Sequence, residues 1–220
     1  MIAAILTSFF ISGAFAEVPK PVKSATPVQN IPEVLKLVEA KYAKAGTLVA
    51  KFSESVESLT TKTKKVSSGT IMIKRPNKVR WETKTPDPNL LVSDGKTFWN
   101  YTPPFDETEP GQLIERKTSQ VQSQLANALL SGNFSMSKNL KITQKSALEF
   151  LIVPKPGTAA GVKQALIRVN ARTQTIEKVV LVHKGGNKSE ISLQEIQLGK
   201  SLEDDLFHFT PPANTDRVKE

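Results

Sequence analysis

Residues Ile73–Pro86 read IKRPNKVRWETKTP. Arg75-Pro76-Asn77-Lys78 has turn chemistry, because Pro presets φ for the second position and Asn tolerates the third. Past the turn, Val79, Trp81 and Thr83 alternate onto one face, and Arg80, Glu82 and Lys84 onto the other. The stretch is thus two antiparallel strands with one apolar face. Arg75 stands two positions after Ile73, on the same face. An arginine that closes an apolar strand needs either a partner there or water.

The reading extends in both directions. Upstream, Leu48, Ala50 and Phe52 alternate, and Val66–Lys74 is a strand with Ile71 and Ile73 on one face. Downstream, Pro86-Asp87-Pro88-Asn89 breaks the chain and Leu90–Ser93 is short and apolar. Asp94-Gly95 is a hairpin signal, and in Lys96–Tyr101 the residues Thr97, Trp99 and Tyr101 share a face. Consecutive strands joined by short turns describe a meander. Gly111–Lys117 adds another strand. Thr118–Gly132 then has helical spacing, with Val121, Leu125 and Leu129 in its apolar stripe, Thr118 or Ser119 to cap it and Gly132 to stop it. A second helix precedes the sheet: Val34, Leu35, Val38 and Tyr42 recur after Pro32, and Gly46 ends it. Ala147–Pro154, Lys163–Asn170, Thr175–Lys184 and Ser189–Leu198 are strands, and in the tail FHFTPP the residues Phe207 and Phe209 share a face opposite His208.

This pattern predicts a mainly β protein with some α-helix. A sheet this large curls as strand twist accumulates. The expected architecture is an incomplete antiparallel β-barrel, a half-barrel of about ten to eleven strands, with helices over its apolar concave face. Phe52, Ile71, Ile73, Trp81, Phe98, Phe150 and Val180 are the candidates for that face. Such a face can be a packed core or a cavity, and alternation alone leaves both open.

Composition narrows the class. With 23% charged and 39% hydrophobic residues the chain is globular rather than disordered. Residues 1–16, MIAAILTSFFISGAFA, carry no charge and end in Ala14-Phe15-Ala16, the pattern of a cleaved signal peptide, though without a basic residue at its start. Residues 17–30 hold Pro19, Pro21 and Pro27 and read as a flexible linker, leaving 31–220 as the folded domain. No cysteine is present, which removes disulfides, thiol catalysis, Cys-ligated zinc and a Cys-borne lipid anchor from the expectations. The net charge of +9 is scattered along the strands; its densest group, Lys62, Lys64 and Lys65, is a solvated hairpin tip or a docking patch for an anionic surface. An exported chain with two Trp and two Tyr gives no reason to expect nucleic acid.

Catalytic signatures are missing. His183 and His208 have no partner at metal-ligand spacing, and there is no GxSxG, P-loop or GxGxxG motif. The acidic pairs Asp106-Glu107 and Asp204-Asp205 lie among loop residues, where nothing separates their pKa values for acid–base work. The expectation is a protein that is not an enzyme and needs no metal or other cofactor.

Taken together, LVAKFSES, IKRPNKVRWETKTP, LLVSDGKTFWNYTPPFDE, LANALLSG and FHFTPP, in this order, resemble the LolA family of outer-membrane lipoprotein carriers over roughly Ile31 to Val218. The RPxxxRW and VSDGKTxWxY blocks are the most specific. The resemblance implies a periplasmic monomer whose apolar cavity holds the acyl chains of a lipoprotein. It implies receipt of that cargo from an inner-membrane ABC transporter and delivery to an outer-membrane acceptor, with no covalent chemistry. It also implies a role for Arg75, as a latch whose several donors bridge carbonyls of a helical lid, here 118–132. Val79 falls where the family often has Phe at the cavity mouth, so its smaller side chain weakens that role. Two related half-barrels are the alternatives: a periplasmic RseB-type sensor of lipoproteins, expected to carry a second domain, and an acceptor, expected to carry a lipidated cysteine. Carriage of a different lipid is a further one.

Overall fold

Two meanders meet side by side to make the sheet. The first is β1 (Thr47–Glu57), β2 (Lys64–Lys74), β3 (Lys78–Thr85), β4 (Asn89–Ser93), β5 (Thr97–Thr102) and β6 (Gly111–Lys117). The second is β7 (Leu140–Gln144), β8 (Glu149–Pro154), β9 (Val162–Asn170), β10 (Thr175–His183) and β11 (Lys188–Leu198). Antiparallel pairing of β1 with β11 joins them. With β12 (Thr215–Lys219) they form one open sheet of 12 strands in the order β12-β6-β5-β4-β3-β2-β1-β11-β10-β9-β8-β7. The computed structural model describes residues 31–106, 108–118, 124–134, 139–156 and 161–219. The expected signal peptide and linker, and Ser119 and Val121 of the expected lid helix, lie outside the described residues.

Strand order explains where the inserted helix goes. β6 lies near one edge of the sheet and β7 is the other edge. The chain between them must cross a face of the sheet, and it carries α2 (Gln124–Leu130). The crossing is on the concave side: Leu125, Ala126, Leu129 and Leu130 join the main core with Phe52, Ile71 and Phe150, and α2 packs on β10. α1 (Glu33–Ala45) buries Leu35, Val38 and Tyr42 in the same core. Gly46 takes the left-handed conformation that stops α1, at φ 73°, and its amide donates to the Tyr42 carbonyl.

Two local features bend the sheet. At Gly69 a Cβ would stand 1.9 Å from the Glu82 carbonyl oxygen, so only glycine lets β3 approach there. Gly69 faces Phe52 across β1, and the Phe52 ring packs on Trp81 with centroids 4.3 Å apart. The β1–β11 register shifts between Val49 and Lys51, opposite Glu195 at φ 51°, which is a bulge.

Several expectations need correction. The sheet has 12 strands because β7 and β12 were not anticipated. β12 runs parallel to β6, whereas the other pairs are antiparallel. Val180 is 9% exposed but outside the main core; a register shift in β10 puts Val179 and Leu181 there instead. The FHFTPP tail is no strand. Its Phe207 ends a 3-10 turn, Asp204–Phe207, and is fully buried, while Phe209 packs on Tyr101. His208 is exposed and meets Trp99 edge-on at 5.3 Å. Trp99, Val92 and Leu113 form a separate cluster with Tyr101 and Phe209. The Arg75–Pro76 peptide bond is cis, which the turn reading did not include.

Candidate functional site

A cavity of about 360 Å³ lies on the concave side. β3 contributes Val79, Trp81 and Thr83, β4 contributes Asn89, Leu91 and Val92, and β5 contributes Phe98. β1 adds Glu54, β9 adds Val162, β10 adds Leu181 and His183, and β11 adds Ser189 and Ile191. Ala126 and Asn127 of α2 complete the wall. The volume is at the low end of small-ligand sites, which run from about 300 to 1,000 Å³. Since α2 is one wall, displacing it is the direct way to enlarge the space.

The expected cavity residues separate into two groups. Val79, Trp81 and Phe98 line the cavity. Phe52, Ile71, Ile73 and Phe150 are at most 3% exposed and belong to packed core beside it. Of the expected helix residues, Leu125 and Leu129 are buried beneath α2, while its neighbours Ala126 and Asn127 face the cavity. Leu91, Val162, Leu181 and Ile191 were missed, although each follows from strand alternation once the register is known.

Arg75 sits in the turn between β2 and β3, partly buried. Its Nη1 donates to the carbonyl oxygen of Ser131 at 2.7 Å. Ser131 follows the last residue of α2, and the end of that helix is closed by its own backbone. The Asn133 amide donates to the Ala128 carbonyl at 2.8 Å and the Gly132 amide to Leu129 at 3.1 Å, with Gly132 at φ 64°. This is a Schellman motif. It leaves the Ser131 carbonyl free to take the guanidinium, which also complements the negative end of the helix. Among the described residues Arg75 meets this one α2-terminal carbonyl rather than several.

α1 holds the same corner. A Cβ on Gly132 would come within 2.9 Å of the Tyr42 ring. The Phe134 amide donates to Glu39 Oε1 at 3.1 Å. The Ile176 amide donates to the Tyr42 hydroxyl at 3.0 Å. Burial, partly offset by that hydrogen bond, pushes the Tyr42 phenol up to about 12. On the outer side of the sheet, Lys74 and Lys78 pair with Asp204 at 2.7 and 2.9 Å, and Lys74 also donates to the Leu202 carbonyl. Arg80 reaches the Leu206 carbonyl at 3.3 Å. The turn in IKRPNKVRWETKTP therefore holds α2 from one side and the C-terminal segment from the other.

The polar groups of the cavity include one histidine–serine pair. His183 Nε2 and Ser189 Oγ are 3.3 Å apart, but among the described residues no carboxylate meets His183 to orient it. Among the same residues, no group of three or more His, Cys, Asp or Glu is placed to hold a metal.

Fold and site together define an open half-barrel with an apolar cavity walled on one side by a helix. Within that class the chain belongs to the family of the outer membrane lipoprotein carrier protein LolA, which matches residues 43–210. The outer-membrane lipoprotein carrier protein of Dechloromonas aromatica is 34% identical over 178 residues, covering 79% of this chain and 82% of the relative. That of Photobacterium profundum is 32% identical over 209 residues, covering 93% and 96%. An uncharacterized conserved protein from Thermus thermophilus shares the fold, with a TM-score of 0.50 at 14% identity, over 84% of this chain and 98% of that one.

Proposed function

We propose that this protein is a periplasmic chaperone that carries lipoproteins to the outer membrane, with their acyl chains in the cavity between β1, β3–β5, β9–β11 and α2. Its relatives bear the name of outer-membrane lipoprotein carriers. The observation that carries the reading is the apolar cavity walled by Ala126 and Asn127 of a helix whose end Arg75 holds. The physical need is large: acyl chains in water cost about 0.8 kcal/mol per CH₂, on the order of tens of kcal/mol per lipoprotein. A cavity removes that cost without covalent chemistry. Among the described residues no helix is long and apolar enough to cross a membrane.

In this reading residues 1–16 direct export and are removed. Cargo arrives from an inner-membrane ABC transporter and leaves to an outer-membrane acceptor. Loading moves α2 away from the sheet and breaks the Arg75–Ser131 bond. Re-forming that bond favours release, because it stabilises only the closed state. The test adds purified protein to spheroplasts displaying newly made lipoproteins and looks for a soluble one-to-one complex. Lipoprotein in the supernatant supports the carrier. No release, with the transporter shown to be active, would move the weight to a sensor or to a carrier of another lipid.

A further inference from the structure

Glu54 is out of place in an apolar cavity. Alternation along β1 puts it on the face of Phe52, where it lines the cavity opposite Ile191 of β11 and Ser67 of β2. Ser189 and His183 line the same cavity, and Ser189 stands two residues before Ile191 on β11. Four lysines on β1 and nearby strands are engaged elsewhere. Lys51 pairs with Glu195, Lys65 with Asp87, and both Lys178 and Lys188 with Glu190. Among the described residues no cation and no N–H group meets the Glu54 carboxyl. A half-buried carboxylate with no partner has lost hydration and gained nothing for it.

We infer that Glu54, beside Ser189 and His183, is the polar subsite of the cavity and takes an N–H-bearing head, an ammonium or an amide, of a ligand whose remainder is apolar. The inference rests on the carrier reading and adds to it what recognises the junction between acyl chains and polypeptide, since peptide amides beside the chains are donors of this kind. A carboxylate accepts from N–H groups through charge-assisted bonds and repels an anionic head. Burial pushes the Glu54 carboxyl above the usual range, and a docked ammonium reverses that direction. The other ionisable group on the cavity wall is His183. Thr83, Asn89, Asn127 and Ser189 are its neutral polar groups, and the Asn89 amide nitrogen is already committed to Asn100, Tyr101 and Thr102.

The test is competition on the whole protein. Dodecylamine, dodecanol and dodecanoate each displace a neutral fluorescent probe, N-phenyl-1-naphthylamine, at neutral pH. The amine should compete at least about tenfold better than the carboxylate, as expected for one charge-assisted hydrogen bond. The protein's net charge of +9 favours the opposite order, so the preference cannot come from long-range attraction. Glu54→Gln should abolish the amine's advantage and leave dodecanol unchanged. Glu57→Gln, exposed at the end of the same strand, should keep the advantage. Equal competition by all three in the unaltered protein, or a preference that survives Glu54→Gln, overturns the subsite and leaves the carrier reading standing. No displacement by any of them overturns the cavity reading and the subsite together.

Discussion

The concave face has two parts built from similar residues. In one, Phe52, Ile71, Ile73 and Phe150 are sealed beneath the helices at 3% exposure or less. In the other, Val79, Trp81, Phe98 and Leu91 surround a cavity. Both parts come from alternating strands of one sheet. What separates them is the cover. α1 and the end of α2 press side chains into the first part, while among the described residues α2 offers Ala126 and Asn127 to the second. Small residues on the covering helix leave space, so whether an apolar sheet face becomes core or cavity is decided by what crosses it.

Truncation gives the largest test of this contrast. Phe150→Ala empties a fully packed position and should cost about 3–5 kcal/mol in urea unfolding. Phe98→Ala removes a side chain that already borders empty space and should cost about 1 kcal/mol or less, because little packing is lost there. Equal losses would mean that the two parts are packed alike. Tyr42→Phe comes next. It leaves the Ile176 amide without its acceptor in buried surroundings and should cost about 1–3 kcal/mol.

Arg75→Leu separates function from folding. A hydrogen bond from a charged group is worth about 1.5–3 kcal/mol. Losing it from the closed state should favour the loaded state by about tenfold or more, so cargo binds but leaves slowly. The readout is transfer of bound lipoprotein to acceptor membranes, with the unfolding midpoint measured in parallel. Transfer at the normal rate would remove the latch from the proposal. The two tryptophans report on the contrast by fluorescence. Trp81 borders the cavity and Trp99 lies in the separate cluster with Val92 and Leu113. Dodecanol should change the fluorescence of Trp99→Phe, which keeps Trp81, and leave that of Trp81→Phe nearly unchanged.

Much of this architecture is legible in the chain. Alternation placed Ile71, Ile73 and Trp81 on one face, and Gly46 and Gly132 stop their helices as their position suggests. The Arg75 partner was legible only as several carbonyls of the helical lid, through the resemblance, and not as the single carbonyl of Ser131 at the helix end. Three things were hidden. Leu140 and Ile142 alternate in β7, but five residues among polar neighbours make a weak signal. β12 has no apolar face at all; its place comes from backbone pairing with β6, which side chains do not announce. Glu54 is not singled out by the strand pattern, because a period of two reports the face and not the distance to the far wall.

The smallest expected effect concerns the outer side of the turn that presents Arg75. Asp204 meets Lys74 and Lys78 there, and their hydrogen bonds hold its carboxyl down to about 2 from an ordinary 3.8. The folded state thus favours the ionised form. The contribution is fully present above the unfolded value and is lost as pH falls from about 4 to about 2. Asp204 is exposed, so water and salt screen it and the gain is small. Asp204→Asn should lower the melting temperature slightly at neutral pH, with the gap to the unaltered protein closing through that acid window and shrinking in high salt. A gap that stays constant down to pH 2 would show that Asp204 acts by packing instead of charge. The inner and outer anchors of the turn would then differ in kind: Arg75 in a sheltered bond that the proposed loading step breaks, Asp204 in a contact that merely keeps the C-terminal segment in place.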